Sequence, residues 1–178
     1  MILIISTCKE KIHELEFVKP IERILKKNNL PFTTKNYKEL SENNIKNSDK
    51  IIISGTSLDD NDFLNHLDSF KWIKSADKPI LGICAGMQII SILYGSKIKK
   101  KKEIGYYKES FIKEFLGLGG EQEVYHLHNN YTTLPEDFES FTKNKIPQAI
   151  KHKNKEIYCV LFHPEVRKES IIEEFIKK

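Results

Sequence analysis

The chain has 178 residues, of which 39% are hydrophobic, and its net charge of +4 is the balance of 29 basic and 25 acidic side chains. This length suits one domain with a sizeable core, and no apolar run reaches membrane-spanning length. The small net charge gives no indication of nucleic-acid binding. Three cysteines at no metal-like spacing argue against a disulfide framework or a zinc site and favour a reducing, cytoplasmic setting.

Short apolar strands alternate with helical patterns along the chain. Strands are predicted at residues 2–5, 50–54, 80–84, 123–126, 148–151 and 158–162, and helices at residues 20–28, 61–66, 86–94 and 169–177. This alternation predicts an α/β fold, a single domain over residues 1–178 with a mostly parallel central sheet flanked by helices. Binding sites of such sheets lie at the carboxyl ends of the strands.

The strand over residues 80–83 ends on Cys84, and a helix with a wide apolar face follows Ala85 and Gly86 at once. A strand that turns sharply into a helix at a nucleophilic residue is a nucleophile elbow, and small residues permit the tight turn. Cys84 would then lie at a helix N-terminus, where the backbone N–H groups and the helix dipole favour a thiolate. A buried structural cysteine is the alternative interpretation.

A second strand, near the C-terminus, ends in His163-Pro164-Glu165. A cysteine nucleophile needs a base within hydrogen-bond reach, and the base needs an acceptor that orients it. His163 can be the base and Glu165 the orienting carboxylate. Because Cys84 and His163 both follow strands at the same edge of the sheet, we expect one shared site.

Residues 82–88, Gly-Ile-Cys-Ala-Gly-Met-Gln, and residues 162–166, Phe-His-Pro-Glu-Val, together resemble the class I (triad) glutamine amidotransferase family, with its order of Cys, His and Glu. Residues 124–131, 134–138 and 148–152 are also similar to segments of that family. The resemblance implies a flavodoxin-like α/β fold with the elbow. The likeness is greatest to the branch whose members serve GMP synthesis as free-standing subunits.

The resemblance also implies roles for individual residues. Cys84 would attack the side-chain amide of glutamine, with His163 as base and Glu165 as third member of the triad. Further expectations are N–H donors to the oxyanion from Ala85 and Thr56, and substrate contacts from Gly55, Gln88 and His128. Gln88 has an alternative interpretation as a cap of the first helical turn. The family usually has a glycine-rich turn where this chain has Gly55-Thr56-Ser57, and threonine tolerates positive φ poorly.

No phosphate-binding loop, dinucleotide fingerprint or metal-ligand motif is found, so no cofactor and no metal is expected in this chain. The resemblance implies a partner: a separate ATP-dependent synthetase that holds ATP and Mg²⁺ and uses the ammonia, in this branch to convert XMP to GMP. Two alternatives stay open. One is a subunit for another acceptor, of the chorismate or carbamoyl phosphate type, and the other is a stand-alone γ-glutamyl hydrolase.

Three further features have a structural interpretation beside a functional one. Lys97 and residues 99–102 form a basic run, expected to be a solvated hairpin or loop and alternatively a docking patch for an acidic partner. His126 and His128 lie two residues apart in a segment with a strand pattern. They are interpreted as buried structural histidines or, alternatively, as groups that face the glutamine site or a partner. Cys8 is expected to be structural.

Overall fold

A computed structural model describes residues 1–178 of the chain. The strands are β1 (Ile2–Ser6), β2 (Phe32–Asn36), β3 (Lys50–Ile53), β4 (Ile80–Ile83), β5 (Ile98–Phe115), β6 (Leu118–Thr132), β7 (Phe138–Ser140), β8 (Ala149–His152) and β9 (Ile157–Val160). The α-helices are α1 (Glu14–Phe17), α2 (Lys19–Lys27), α3 (Glu42–Lys46), α4 (Ala85–Leu93) and α5 (Ser170–Phe175). Segments of 3₁₀ helix lie at Lys11–His13, Tyr37–Glu39 and Asp62–Ser75.

Seven strands form the central sheet in the order β2-β1-β3-β4-β9-β8-β7. The five strands from β2 to β9 are parallel, and β8 and β7 complete the sheet through antiparallel pairing. One face packs against apolar residues of α2 and α5, and the other packs against α4 and the segment Asp62–Ser75. The predicted α/β fold with a mostly parallel, helix-flanked sheet is therefore confirmed.

The long strands β5 and β6 form a hairpin of their own, outside the central sheet. Its buried positions pack onto the core on the side of α2 and α5, through Phe111, Phe115 and Val124 among others. The predicted strand at residues 123–126 thus exists, but it lies within this hairpin. The 18-residue strand β5 was not predicted, because its outer face carries mostly exposed charged side chains and apolar alternation is weak.

Other elements agree with the sequence patterns to different degrees. Helices form at α2, α4 and α5, close to the predicted ranges 20–28, 86–94 and 169–177. Strand β2 was missed because its five residues, Phe-Thr-Thr-Lys-Asn, are all only half-buried and give no apolar pattern. The helix predicted at 61–66 is wrong in type, since the segment is 3₁₀ with non-helical backbone angles at His66. No helix of the structure combines the length and the apolar character needed to cross a bilayer.

Candidate active site

Cys84 occupies the turn between β4 and α4 as the N-cap residue of that helix. Its backbone has φ 47° and ψ −99°, a conformation that residues other than glycine rarely adopt. Such strain costs on the order of 1–3 kcal/mol and persists where the surrounding fold enforces it. Gly86 permits the close packing of this turn against β3, because a Cβ at position 86 would lie 2.5 Å from the carbonyl oxygen of Ile53. The structure therefore has the elbow geometry, with Cys84 at a helix N-terminus.

His163 follows β9, the parallel neighbour of β4, so both side chains emerge at the carboxyl edge of the sheet. The backbone N–H of Cys84 donates to the carbonyl oxygen of Val160 at 2.8 Å, which fixes the two strand ends side by side. The His163 ring is fully buried, and its Nδ1 lies 2.7 Å from Oε1 of Glu165, itself buried. A carboxylate can only accept, so Nδ1 carries the proton and Nε2 is the nitrogen free to exchange a proton with the thiol.

The carbonyl oxygen of Leu127, on β6, lies close to the side chains of both Cys84 and His163. It lies 3.4 Å from Nε2 of His163 and 3.7 Å from Sγ of Cys84. The ring of Phe17 packs against the imidazole at a centroid distance of 5.4 Å. One backbone atom of the hairpin thus contacts both Cys84 and His163. No sequence pattern could have shown this, because the contact is made by a peptide group.

The pKa of His163 is the balance of two opposed effects. Burial alone would lower it, but the negative charge of Glu165, then that of Cys84, together with hydrogen bonds to both side chains, raise the pKa of His163 well above 6.5. The folded protein therefore favours a protonated imidazole beside Cys84 and Glu165. A protonated imidazole next to a thiol favours the thiolate, which is the nucleophilic form of cysteine.

Gly55 brings the loop after β3 directly against the two reactive side chains. A Cβ built on Gly55 would lie 2.6 Å from Cε1 of His163 and 3.3 Å from Cβ of Cys84. Thr7, just after β1, holds this backbone: its Oγ1 donates to the carbonyl oxygens of Ser54 and Gly55, 3.0 Å away in each case. The position of Thr7 after a sheet strand was the one signal in the sequence for this bracing role.

Thr56 is the next residue of the loop, and its backbone avoids the positive φ that threonine tolerates poorly. Positive φ occurs at four non-glycine residues of the chain, and Thr56 is not among them. Instead its Oγ1 donates to Oδ2 of Asp60 at 2.7 Å, and the same carboxylate oxygen accepts from the backbone N–H of Lys9. The side chain thus holds the loop in its present shape through a hydrogen bond.

A narrow cleft with a free volume of only about 20 Å³ lies in front of Cys84. Gln88 and His128 line it, as do Thr56 and Ala85, the first residue of α4. Nε2 of Gln88 donates to the carbonyl oxygen of Asn130 at 3.1 Å, so the side chain does not cap the helix. The structure therefore brings these four predicted residues together with Cys84 around one cleft. Gly55 is close to Cys84 and His163 but does not line the cleft.

Two asparagines of β6, which the sequence analysis had not singled out, tie the opposite wall to the loop. Nδ2 of Asn129 donates to the carbonyl oxygen of Leu58 at 3.0 Å, and Nδ2 of Asn130 donates to Oδ1 of Asn61 at 3.1 Å. Both bonds cross the cleft from β6 to the segment between Thr56 and the 3₁₀ helix. They hold that segment over the entrance.

The other two cysteines are far less suited to nucleophilic chemistry. Cys8 is fully buried beneath the Gly55 carbonyl, and burial raises the pKa of its thiol to about 11. Burial likewise raises the pKa of Cys159. Neither residue has the backbone conformation or the helix N-terminus that distinguish Cys84.

His126 and His128 lie on the inner face of the hairpin, where both rings are buried next to Glu103. Burial and the neighbouring His126 lower the pKa of His128 to about 4, although Glu103 opposes this. The lysines at 99–102 lie on β5, and Lys100–Lys102 line an open groove of about 470 Å³ with Asn61, Asn129 and Asn130.

Comparison with known proteins agrees with this geometry. The family model for glutamine amidotransferase class-I matches residues 13–178. The chain belongs to this family. The family's name describes the chemistry that the elbow cysteine, histidine and glutamate had suggested, and the predicted family resemblance is confirmed.

Three curated relatives are named as subunits of a glutamine-hydrolyzing GMP synthase. The protein of Methanobrevibacter smithii is 35% identical over 107 residues, 56% of each chain. That of Methanosphaera stadtmanae is 39% identical over 104 residues, 53% of this chain and 55% of the relative. That of Thermoplasma acidophilum is 35% identical over 127 residues, 66% of this chain and 64% of the relative. The family member described here thus spans between about half and two thirds of the length of these relatives.

Solved structures extend the likeness over the whole chain. A Thermoplasma acidophilum protein, provisionally named as a GMP synthase subunit, superimposes with a TM-score of 0.85 at 26% identity, covering 99% of this chain and 93% of that one. A glutamine amidotransferase of Thermotoga maritima gives a TM-score of 0.76 at 18% identity, covering 99% and 81% of the two chains. The second likeness supports the fold alone.

Proposed function

We propose that this chain hydrolyses glutamine to glutamate and ammonia, with Cys84, His163 and Glu165 as its catalytic triad. The observation that carries the proposal is the arrangement of a strained elbow cysteine and a buried imidazole that a carboxylate holds at 2.7 Å. Family membership supports it, since the matched model is that of glutamine amidotransferases.

The chemistry follows from the positions of the three side chains. The Cys84 thiolate would attack the side-chain carbonyl carbon of glutamine, and the C–N bond would break as the His163 imidazolium protonates the leaving nitrogen to give ammonia. The neutral imidazole would then take a proton from water, which attacks the γ-glutamyl thioester and releases glutamate and the thiolate. Glu165 keeps the imidazole in the correct orientation through both steps.

The tetrahedral intermediates need donors for their oxyanion. The N–H of Ala85 is free for this task, because the first N–H groups of a helix have no partner within it. The N–H of Thr56 is the second candidate, from a loop that lines the same cleft. Gln88, Gly55 and His128 are the proposed contacts of the substrate.

We further propose that the ammonia serves a separate ATP-dependent synthetase that aminates XMP to GMP. Support comes from three relatives that are each named as one lettered subunit of a glutamine-hydrolyzing GMP synthase, a name that implies a second subunit in those proteins. ATP and Mg²⁺ would bind to the synthetase and not to this chain. A reducing cytoplasmic setting belongs to the same proposal, because the chemistry needs a free thiol and all three cysteines are unpaired.

The hydrogen bonds across the cleft suggest how the partner could control the reaction. Thr56, Asn129 and Asn130 each hold the loop that would supply the second oxyanion donor. A missing oxyanion donor typically lowers kcat about 10²- to 10³-fold. We therefore expect slow hydrolysis by the isolated chain and faster hydrolysis when a docked synthetase shifts this loop.

The test measures glutamate release by the purified chain alone and with the synthetase from the same organism, XMP and ATP. The expected result is a kcat increase well beyond tenfold on addition of the partner, with GMP formed from glutamine as nitrogen donor. Full-speed hydrolysis of glutamine or a γ-glutamyl peptide by the chain alone, unchanged by the synthetase, would instead show a stand-alone hydrolase. Activation by a synthetase that aminates another acceptor would keep the glutaminase and replace the GMP assignment.

A further inference from the structure

The inner face of the β5–β6 hairpin brings three potential metal ligands together. Oε2 of Glu103 lies 3.0 Å from Nδ1 of His126 and 3.2 Å from Nε2 of His128, and these three residues offer ligand atoms that all lie within 4.8 Å of one another. Both histidine side chains are fully buried, and the Glu103 side chain is 14% exposed, which leaves one side from which an ion can enter.

The hairpin register explains how the three side chains meet. Between the pairs Lys100–Asn130 and Glu103–His128, β5 has one residue more than β6, which is a β-bulge. The bulge turns Glu103 onto the inner face, directly opposite His128. His126 lies two residues along the same strand and therefore on the same face. Its ring stacks on Tyr107 at a centroid distance of 4.6 Å, which fixes its orientation.

Hydrogen bonding alone leaves this cluster unsatisfied when the imidazoles are neutral. Nδ1 of His128 lies 3.2 Å from the carbonyl oxygen of Lys101, which only accepts, so this nitrogen carries the proton. Nε2 of His128 then presents a lone pair to the carboxylate oxygen of Glu103, and it has no hydrogen-bond partner. Two lone pairs 3.2 Å apart repel unless a proton or a cation lies between them.

Both ring nitrogens of His126 also face oxygen atoms that only accept hydrogen bonds when ionised. His126 lies between two carboxylates, with Nδ1 3.0 Å from Glu103 and Nε2 3.4 Å from Glu109. A neutral imidazole can donate to one of them and not to both. Glu109 is buried, its side chain 4% exposed, and neither carboxylate pairs with a lysine or arginine in the structure. A cation bound at Nδ1 of His126 would resolve this conflict, because Nε2 could then carry the proton and donate to Glu109.

We propose that Glu103, His126 and His128 bind one divalent transition-metal ion, with Zn²⁺ as the first candidate. Two imidazoles and one carboxylate are a ligand set that zinc accepts, with the fourth position left to water. The donor distances of 3.0 and 3.2 Å approach the roughly 3.3 Å edge of a tetrahedron with ligand bonds of about 2.0–2.1 Å. The ion would replace the proton or protons that otherwise separate these donors.

The groups behind the two histidines match those behind the histidine ligands of metal sites. Such ligands usually present their other ring nitrogen to a carboxylate or a backbone carbonyl, which fixes ring and tautomer. Here Glu109 stands behind His126, and the Lys101 carbonyl stands behind His128. Sequence analysis could not show the site, because the ligands come from two strands at a spacing set by a bulge.

The site lies beside the catalytic cleft and shares His128 with its lining. With Nδ1 bonded to the Lys101 carbonyl and Nε2 on the ion, His128 would contact the substrate only through the carbon atoms of its ring. His126 and His128 flank Leu127, whose carbonyl contacts both Cys84 and His163. An ion that holds both histidines would fix the position of this carbonyl. Its role would therefore be structural, and the proposal does not depend on which reaction Cys84 performs.

The test uses the full chain in a Cys84→Ala background, which removes the thiol of the cleft as a competing ligand. After treatment with a chelator, Zn²⁺ is titrated by calorimetry and bound zinc is counted by elemental analysis. Co²⁺ is added in parallel, because its visible spectrum reports coordination geometry. We expect one ion per chain, a tetrahedral Co²⁺ spectrum and a higher Tm with the ion.

Variants then assign the ligands. Glu103→Gln and His126→Asn should each weaken Zn²⁺ binding by at least about 100-fold and abolish the Tm increase, while Glu109→Gln should weaken it about 10- to 100-fold. His13→Asn is the matched control, a partly exposed histidine without a side-chain bond, and should bind as the parent does. Should one variant fail to fold, the other and the Co²⁺ spectrum of the parent decide.

Two results would overturn the proposal. One is the absence of stoichiometric Zn²⁺ or Co²⁺ binding at micromolar concentration, which would identify the cluster as a protonated histidine–carboxylate network. The other is binding of equal strength in the parent and in both Glu103→Gln and His126→Asn.

Discussion

The Cα of Gly55 lies against the ring of His163 so closely that a Cβ on the glycine would lie 2.6 Å from Cε1. The ring cannot move away easily, because Glu165 holds it at Nδ1 and the tilted ring of Phe17 packs against it. The loop after β3 and the imidazole of His163, the proposed base, are therefore packed together without free space.

We predict that Gly55→Ala lowers kcat about 100-fold, since a displacement of about 1 Å at a reactive group can cost that much. Gly119→Ala is the matched control, because a Cβ there meets no atom within 4 Å and its φ is not positive. Glutamate release by the two variants and the parent measures the effect. An unchanged rate for Gly55→Ala would mean that the loop moves aside freely.

Labelling with a diazo-ketone analogue of glutamine should modify Cys84 alone. Cys8 and Cys159 are fully buried with raised thiol pKa values, so neither offers a thiolate at neutral pH. Mass spectrometry of the intact chain and its peptides should show one adduct, lost in Cys84→Ala. An adduct on either other cysteine would disprove the assignment of the nucleophile.

Replacing the triad partners should give unequal losses. His163→Ala removes the proton-transferring group and should lower kcat by at least about 10³-fold. Glu165→Gln keeps the shape but loses the charge that orients the ring, and its loss should be roughly 100-fold smaller than that of His163→Ala. Steady-state kinetics on folded variants, verified by circular dichroism, provide the comparison. Small and equal losses would contradict the triad.

The raised pKa of His163 also predicts a pH dependence of stability. A group whose pKa is higher in the folded state stabilises the fold below its unfolded pKa, near 6.5, and loses that effect as the pH rises through the folded value. Glu165→Gln removes the largest of the effects that raise this pKa, so the variant should unfold more easily than the parent below pH 6.5. The difference should shrink as the pH rises well above 6.5.

Urea unfolding at several pH values measures this difference, and an NMR titration of the His163 ring should show a lower pKa in Glu165→Gln. Glu16→Gln, at an exposed position, is the control and should behave as the parent. If the difference in free energy of unfolding between the parent and Glu165→Gln instead grew with pH, the proposed interaction between protonated His163 and Glu165 would be disproved.

Thr56→Val should raise the basal glutaminase rate of the isolated chain several-fold. The substitution preserves the shape of the side chain but removes the hydrogen bond to Asp60 that holds the loop. If a docked synthetase shifts this loop, the partner-stimulated rate should change little. Thr33→Val, at a half-buried threonine of β2, is the control. A fall in both rates would indicate that the bond to Asp60 supports the active conformation.

The proximity of Cys84, His163 and Glu165 could be predicted from the sequence because the signals for it are local. Cys84 and His163 each follow an apolar strand, and parallel strands bring their ends to one edge. The hairpin could not be predicted in the same way, since its outward side chains are charged and its register depends on a bulge near Lys100.

The groups that hold the site residues in place could not be predicted from the sequence either, for two physical reasons. The Leu127 carbonyl acts through a backbone atom that every residue type possesses. Thr7 and Thr56 act through ordinary hydroxyl hydrogen bonds across the fold. The sequence indicated only that Thr56 would avoid positive φ, as it does here, and could not show that its side chain bonds to Asp60.

The positive φ of Cys84 means that the side chain proposed to carry the activity also lowers the stability of the fold. Glycine adopts φ 47° without steric cost, whereas cysteine does not. Exchanging the nucleophile for glycine should therefore give a chain that is inert yet harder to unfold than its parent. Such a chain could retain uncleaved glutamine in the cleft, which would make it a useful starting point for crystallising the substrate complex.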